Sequence, residues 1–158
     1  MKPPPPKPPP GELLIRRMGV GYQLRRSFMA LHRRLQASIK KYGVTPDQYV
    51  VLWVLNAWGP QSQREIFERI YSDGNTVAQM LRRMERKGWV SRKTHPDDAR
   101  AIRVTLTPEG EGLRKTIYAL ARRNHEVALA GFSPAERELF VDFLFRFYCA
   151  LDGRGGLQ

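Results

Sequence analysis

The chain has 158 residues, 42% of them hydrophobic, and a formal net charge of +12. This length allows one domain with a core of its own, and the charge favours an anionic partner. No apolar run reaches the roughly eighteen residues that a membrane-spanning helix needs, and the N-terminus lacks the apolar segment of a signal peptide, so we expect a cytoplasmic protein.

The cysteine and histidine content limits the chemistry open to the chain. A single cysteine, Cys149, excludes an internal disulfide and a multi-cysteine metal site. Its aromatic neighbours Phe147 and Tyr148 favour an inert structural thiol, while a redox-sensing thiol stays open. The three histidines show no ligand-like spacing, so we expect no metal and no cofactor.

The two ends of the chain are biased in composition. Residues 1–11 are rich in proline, which predicts a solvated polyproline-like tail. The glycine-rich residues 153–158 predict a second disordered tail. Residues 12–152 between them are interpreted as a single domain.

The first helix is predicted over residues 12–41, where apolar residues recur at steps of three and four. The same segment carries eight basic residues and one acidic residue, the largest charge excess in the chain. Its basic pairs form either a solvated face or a set of contacts to phosphates or another anionic ligand.

Two capping boxes mark the next two helices. Thr45 with Gln48 opens the first, and residues 49–58 are apolar on nearly every side, which predicts a buried helix. Ser62 with Glu65 opens a short second helix. A tight turn then leads to a further helix, and two helices joined in this way form a helix-turn-helix.

The helix that follows the turn has two distinct faces, because its apolar residues recur at helical spacing and its polar residues fall opposite them. The packing face consists of Val77, Met80, Leu81 and Met84, and the outward face of Asn75, Gln79, Arg82 and Arg86. Because one face of the helix packs in the core, the opposite face is free to contact a partner.

A two-stranded ribbon is predicted directly after this helix. Gly88 is typical of a residue that ends a helix. Residues 89–94 and 102–107 have the composition of short strands, and the residues 95–100 between them favour a charged turn. The ribbon is therefore a wing that follows the helix-turn-helix.

Two more helices complete the domain. Thr107 and Pro108 start one that extends to about Leu129, and Ser133 with Glu136 forms a third capping box that opens the last. The last helix carries a wide apolar stripe made of Phe140, Phe143, Leu144, Phe147 and Leu151. Such a stripe needs a cover, either the first helix or a second subunit.

The wing residues carry a resemblance to a known family. Residues 98–107 fit the pattern Asp-x-Arg-x-x-x-Val-x-Leu-Thr, and Pro108, Glu109 and Gly110 follow it. Upstream, Asn75-Thr76-Val77 and Lys87-Gly88 fit the family's recognition helix and its end. The chain resembles the MarR family of winged helix-turn-helix transcription regulators.

The resemblance implies a mainly α fold with a small β wing. In it, a DNA-binding winged helix at residues 45–107 is flanked by N- and C-terminal dimerisation helices at 12–41 and 108–152. It also implies a homodimer that represses transcription from a pseudo-palindromic operator and releases it when a small aromatic or phenolic acid binds. Two recognition helices would enter successive major grooves about 10 base pairs apart.

Roles in DNA binding follow from this resemblance and from the reach of each side chain. Contacts to base edges are predicted for the outward residues Asn75, Thr76, Ala78, Gln79 and Arg82. A side-chain amide pairs with adenine, and a guanidinium pairs with guanine. Arg83 and Arg86 are predicted to hold either phosphates or the wing. Arg92, like Lys93 and Arg103, is predicted either to contact the DNA backbone or to be simply solvated. At the wing, Arg100 is expected in the minor groove, and Asp98 is expected to orient the wing by pairing with an arginine.

The resemblance also implies an effector pocket between the dimerisation helices and the winged domain. A small aromatic carboxylate suits a site where aromatic side chains cover its ring and a cation pairs its charge. The candidate residues are Tyr22, Arg25, Phe28, His32, Tyr49 and Trp53. The alternative is that these residues belong to the core.

Two other functions stay open at this point. The winged domain is alternatively a protein-interaction module, since a fold does not by itself imply a function. The regulator is alternatively a redox sensor that acts through Cys149. An enzyme has little support, since the sequence shows no paired carboxylates, no nucleophile with its base and no phosphate-binding loop.

Overall fold

The computed structural model describes residues 19–70, 74–94 and 101–152. The helices are α1 (Gly19–Ile39), α2 (Pro46–Trp58), α3 (Gln63–Ile70), α4 (Gly74–Arg86), α5 (Pro108–Ala128) and α6 (Pro134–Asp152). A 3-10 turn, Lys40–Tyr42, follows α1, and the strands are β1 (Gln61–Ser62), β2 (Val90–Thr94) and β3 (Ile102–Leu106). The predicted fold class, mainly helical with a small β wing, is confirmed. None of the helices described is long and apolar enough to cross a membrane.

Several predictions concern segments outside the described residues. They are the tails at 1–11 and 153–158, the start of the first helix at 12–18, and the wing turn at 95–100 that holds Asp98 and Arg100.

All three predicted capping boxes are present. At the start of α2, the backbone N–H of Gln48 donates to Thr45 Oγ1 at 3.2 Å, and the Thr45 N–H donates to Gln48 Oε1 at 3.0 Å. The same reciprocal pair opens α3 at Ser62 and Glu65, and α6 at Ser133 and Glu136. Each pair satisfies two backbone donors that a helix start leaves without a partner.

The prediction that α2 is buried on nearly all sides is wrong for one side. Its buried residues are Val51, Leu52, Val54 and Leu55, together with residues of the first turn. Val50, Trp53 and Trp58 are 41%, 43% and 42% exposed. Apolar composition shows that a helix is able to pack on every side, but the number of neighbours depends on the tertiary arrangement.

The chain divides into two compact units, one ending at Ala121 and the other starting at Arg122. The first unit contains the main core, where α2, α3, α4 and the strands meet. Val77, Leu81 and Met84 of α4 are fully buried there and Met80 is 8% exposed, so the predicted packing face is confirmed. A second cluster joins the end of α1, the start of α2 and α5 through Ile39, Val44, Tyr49, Ile117 and Ala121.

The second unit contains the end of α5 and α6. The predicted stripe on α6 is exposed along its whole length, from Phe140 at 41% to Leu151 at 72%. Within this unit the rings of Phe132 and Phe140 lie 5.8 Å apart. The stripe remains available for a partner surface.

The wing forms a three-stranded antiparallel sheet in the order β1-β3-β2. β2 and β3 pair from Val90 with Leu106 to Thr94 with Ile102, close to the predicted strands. The two-residue strand β1 pairs with β3 on its other side and was not predicted, because two residues carry no periodicity. β3 is therefore the central strand, and β2 lies at an edge.

Gly88 ends α4 as predicted. Its φ angle is 73°, and its N–H donates to the Glu85 carbonyl at 2.8 Å, while the Trp89 N–H donates to the Met84 carbonyl at 3.0 Å. This Schellman motif turns the chain directly from α4 into the wing.

Candidate nucleic-acid interface

The outward face of α4 is polar and open to solvent. Because Val77, Leu81 and Met84 anchor one side of the helix, the side chains between them point away from the core. The exposed residues are Asn75, Thr76, Gln79, Arg82, Arg83 and Arg86, and Ala78 is half-buried. The structure therefore places all seven α4 residues predicted for DNA contact outside the core.

The charge of this face is positive. Arg82, Arg83 and Arg86 supply three cations, and Glu85 is the only acidic residue of α4. The Glu85 carboxylate already pairs with Arg92 at 3.3 Å. The three arginines of α4 are exposed, which suits contact with a phosphate backbone.

Arg92 has partners other than those the sequence predicts. Its side chain is only 14% exposed, and Nη1 donates to Glu85 Oε2 at 3.3 Å. Nη2 donates to Gln63 Oε1 at 3.1 Å, and the Arg92 backbone N–H donates to Glu85 Oε1 at 3.2 Å. These bonds tie β2 to both helices of the helix-turn-helix.

The link between α2 and α3 contains a contact that the sequence did not reveal. The Arg69 guanidinium lies 4.6 Å from the ring centroid of Trp58, and its Nε donates to Gln61 Oε1 at 3.0 Å. The amide nitrogen of Gln61 donates in turn to the carbonyls of Trp58 and Pro60. This contact fixes the start of the helix-turn-helix, and its members stand too far apart in the sequence to show any spacing signal.

A cleft of about 450 Å³ lies between α1, the first turn of α2 and α4. We call it the α1–α4 cleft, and it is lined by His32, Gln36, Thr45, Pro46, Asp47, Gln48, Thr76, Gln79, Met80 and Arg83. His32 and Arg83 supply nitrogen donors, and the glutamine amides offer both donors and acceptors. Thr76, Gln79 and Arg83 belong to the outward face of α4 as well, so the cleft and the candidate interface share three residues.

The structure does not gather the six predicted effector residues around this cleft. Only His32 lines it, and the ring of Phe28 lies beside His32 at 5.6 Å. Tyr22 is exposed with Arg26 at 5.9 Å from its ring, and Trp53 lies with its edge against Trp58. Tyr22 and Trp53 therefore lie outside the α1–α4 cleft, and their role in effector binding stays a prediction.

Tyr49, a further predicted effector residue, lies in the second core cluster. Its burial raises the pKa of the phenol, and the positive charge of Arg114 opposes this shift. The phenol is therefore neutral at physiological pH and contributes to the packing of α2 against α5. Arg25, the sixth candidate, is exposed on α1.

Comparisons with known proteins agree with this geometry. A family model described as the MarR family matches residues 44–102. A protein of Thauera aromatica, whose name assigns it to transcriptional regulation of the hcr operon, is 30% identical over 131 residues, which cover 82% of this chain and 78% of that protein. This chain belongs to the MarR family.

Solved structures support the same assignment. BpsR of Bordetella bronchiseptica, described with a mechanism for regulation of its DNA binding by 6-hydroxynicotinic acid, is 28% identical. Its TM-score is 0.74, and the match covers 81% of this chain and 97% of that one. A mutant MarR from E. coli in complex with operator DNA gives a TM-score of 0.76 at 21% identity, covering 85% and 97%, which shows a shared fold. As a MarR-family member, this chain is a transcriptional regulator and not an enzyme.

Proposed function

We propose that this MarR-family regulator is a homodimeric repressor that binds a pseudo-palindromic operator through α4 and releases it when a small aromatic carboxylic acid occupies the α1–α4 cleft. The observation that carries the proposal is the outward face of α4, where Gln79 and Arg82 project from a helix whose other face is buried. A glutamine amide pairs adenine and an arginine fork pairs guanine in the major groove.

A dimer is supported by the exposed apolar stripe of α6. Five large apolar residues on one helix face are costly to leave in water, and a second copy of the chain offers the same stripe as a cover. Two copies would present two α4 helices, which sets the spacing of the half-sites at about 10 base pairs.

The effector role is supported by the chemistry of the α1–α4 cleft. His32 and Arg83 are suited to pair a carboxylate, and the volume of about 450 Å³ accommodates a substituted aromatic ring. BpsR, a structural neighbour, is described as regulated by 6-hydroxynicotinic acid, which is an aromatic carboxylic acid. Because Gln79 and Arg83 also belong to the interface, an occupant of the cleft alters the residues that the operator needs.

DNA binding is tested by a gel-shift assay on the region upstream of the protein's own gene. We expect Arg82→Ala to weaken binding about thirtyfold or more, because the dimer loses one bidentate base contact in each half-site. Arg122→Ala removes another exposed arginine, which pairs with Glu126 on α5, and serves as the control. Equal binding by both variants and the unmodified protein would rule out the assignment of Arg82 to base reading.

The effector is tested by a thermal-shift screen of aromatic carboxylic acids, followed by repetition of each hit with operator DNA present. A true effector raises the melting temperature and weakens DNA binding together, as linkage requires. We expect His32→Gln to abolish the shift and Arg25→Gln, outside the cleft, to keep it. The reverse result would exclude the cleft as the site.

A further inference from the structure

Three elements of the DNA-binding unit meet at one arginine. Arg92 lies in β2, Glu85 in the last turn of α4, and Gln63 at the start of α3. The Arg92 guanidinium donates to the Glu85 carboxylate at 3.3 Å and to the Gln63 amide oxygen at 3.1 Å. We call this set the Glu85–Arg92–Gln63 clamp.

The clamp also involves the backbone of the wing. In the sheet formed by the described residues, β2 is an edge strand that pairs with β3 on one side. The Arg92 N–H donates to Glu85 Oε1 at 3.2 Å, while Glu85 Oε2 accepts from the guanidinium of the same residue. One carboxylate thus holds both the main chain and the side chain of β2 against α4.

We propose that Glu85 and Arg92 are positioning residues that set the angle of the wing relative to α4, so that the wing and the recognition helix reach the DNA together. The inference rests on the proposed DNA-binding function and adds to it the residues that align its two reading elements. It assigns Arg92 to alignment and not to a phosphate contact.

The geometry favours alignment over phosphate contact for two reasons. The Arg92 side chain is only 14% exposed, and both terminal nitrogens of its guanidinium already donate, one to Glu85 and the other to Gln63. A phosphate that approached Arg92 would compete with these bonds and would also meet the negative charge of Glu85, which is 40% exposed. Arg82 and Arg86, by contrast, are exposed on the outward face of α4.

The substitution Glu85→Gln distinguishes alignment of the wing from phosphate contact, because the two roles predict opposite changes in operator affinity. If Arg92 were a phosphate contact, removal of the competing carboxylate would free it and tighten DNA binding. If the clamp aligns the wing, the loss of a charge-assisted bond weakens operator binding, by about three- to tenfold as we expect. Glu68→Gln, which removes the same charge from an exposed ion pair with Arg64 on α3, is the matched control and should change affinity little.

Arg92→Lys provides a second variant that keeps the charge. A single ammonium lacks the planar fork that joins Glu85 to Gln63, so we expect it to weaken operator binding as Glu85→Gln does. A phosphate contact would survive this change largely intact. Tighter binding by Glu85→Gln, or unchanged binding by Arg92→Lys, would overturn the inference.

A shortened wing tests whether the effect passes through the wing itself. Thr94 and Ile102 are paired residues, so residues 95–101 can be replaced by Asn-Gly, a two-residue hairpin turn. In this background we expect Glu85→Gln to change operator affinity less than twofold. If Glu85→Gln weakened operator binding by the same three- to tenfold in this background, the clamp would support α4 alone and the wing assignment would be overturned.

Failure of the proposed function and failure of the clamp inference give different experimental results. The unmodified protein's binding to DNA tests the proposed function, and the ratio of variant to unmodified affinity tests the clamp. All affinities are measured well below each variant's melting temperature, so that unfolded protein does not contribute.

Discussion

A β carbon built on Gly110 would stand 2.0 Å from the carbonyl oxygen of Trp89, a distance that no side chain tolerates. The first turn of α5 therefore packs directly on the backbone at the base of the wing. Thr107 fastens the same junction, because its hydroxyl donates to the Gly88 carbonyl at 2.6 Å and accepts the Gly110 N–H at 3.0 Å. The threonine and glycine of the wing motif thus have a packing role in this chain.

Gly110→Ala should destabilise the protein strongly. The added methyl group must displace the Trp89 backbone, and overpacking of this kind costs about 1–3 kcal/mol. Gly112→Ala in the same helix is the control, because open space surrounds that position and alanine should stabilise the helix by about 0.5–1 kcal/mol. Urea unfolding measures both, and a similar change for the two variants would contradict the close contact.

Tyr49 should make the folded state sensitive to alkaline pH. Burial raises the pKa of its phenol above the ordinary value of 10.0, so the unfolded chain loses this proton first. The corresponding stability is complete below pH 10 and is lost as pH rises through the folded-state pKa. We expect Tyr49→Phe to unfold less readily at alkaline pH than Tyr22→Phe, an exposed control on α1, when both are compared with their values at pH 8. If the two variants lost the same free energy of unfolding between pH 8 and alkaline pH, the result would argue against burial of the Tyr49 phenol.

The ion pair between Glu111 and Arg114 should stabilise the folded state at neutral pH and lose this effect in acid. Hydrogen bonds of 2.6 Å and 2.9 Å from the guanidinium hold the pKa of the Glu111 carboxyl below its ordinary value. This contribution is present above the unfolded-state pKa and is lost as pH falls through the folded-state value. Because the pair is partly solvated, Glu111→Gln should cost no more than about 1 kcal/mol at neutral pH.

The same substitution should have no effect at a pH low enough to protonate the carboxyl in both states. Urea unfolding across this range is the measurement. Glu126→Gln, in the exposed pair with Arg122, should cost less at neutral pH because both partners face water. A cost for Glu111→Gln that stays constant down to the lowest pH would contradict the ion pair as its source.

The apolar stripe of α6 should govern the oligomeric state. Phe147→Asp places a charge within the stripe, and its burial in an interface would be costly, so we expect a shift from dimer to monomer in sedimentation experiments. Phe145→Asp changes an exposed aromatic residue on another side of the same helix and should keep the dimer. If both variants sediment as the unmodified protein does, the stripe is not the interface.

Local signals in the sequence determined much of the fold. Each capping box, the glycine that ends α4 and the packing face of α4 involve residues within a turn or two of one another, so spacing and side-chain chemistry specify them. The outward residues of α4 followed directly from the packing face.

Tertiary structure decided the features that depend on distant residues. β1 exists only because β3 pairs with it, and one side of α2 is exposed because none of the described residues in its compact unit covers it. The α1–α4 cleft joins three helices, so helical spacing did not distinguish His32, which lines the cleft, from Trp53 and Tyr22, which do not, and the effector role of all three stays a prediction. Arg92 shows the reason most clearly, since its partners stand 7 and 29 residues away. A basic residue on a strand is typical of a phosphate contact, and only the fold could bring Glu85 and Gln63 to it.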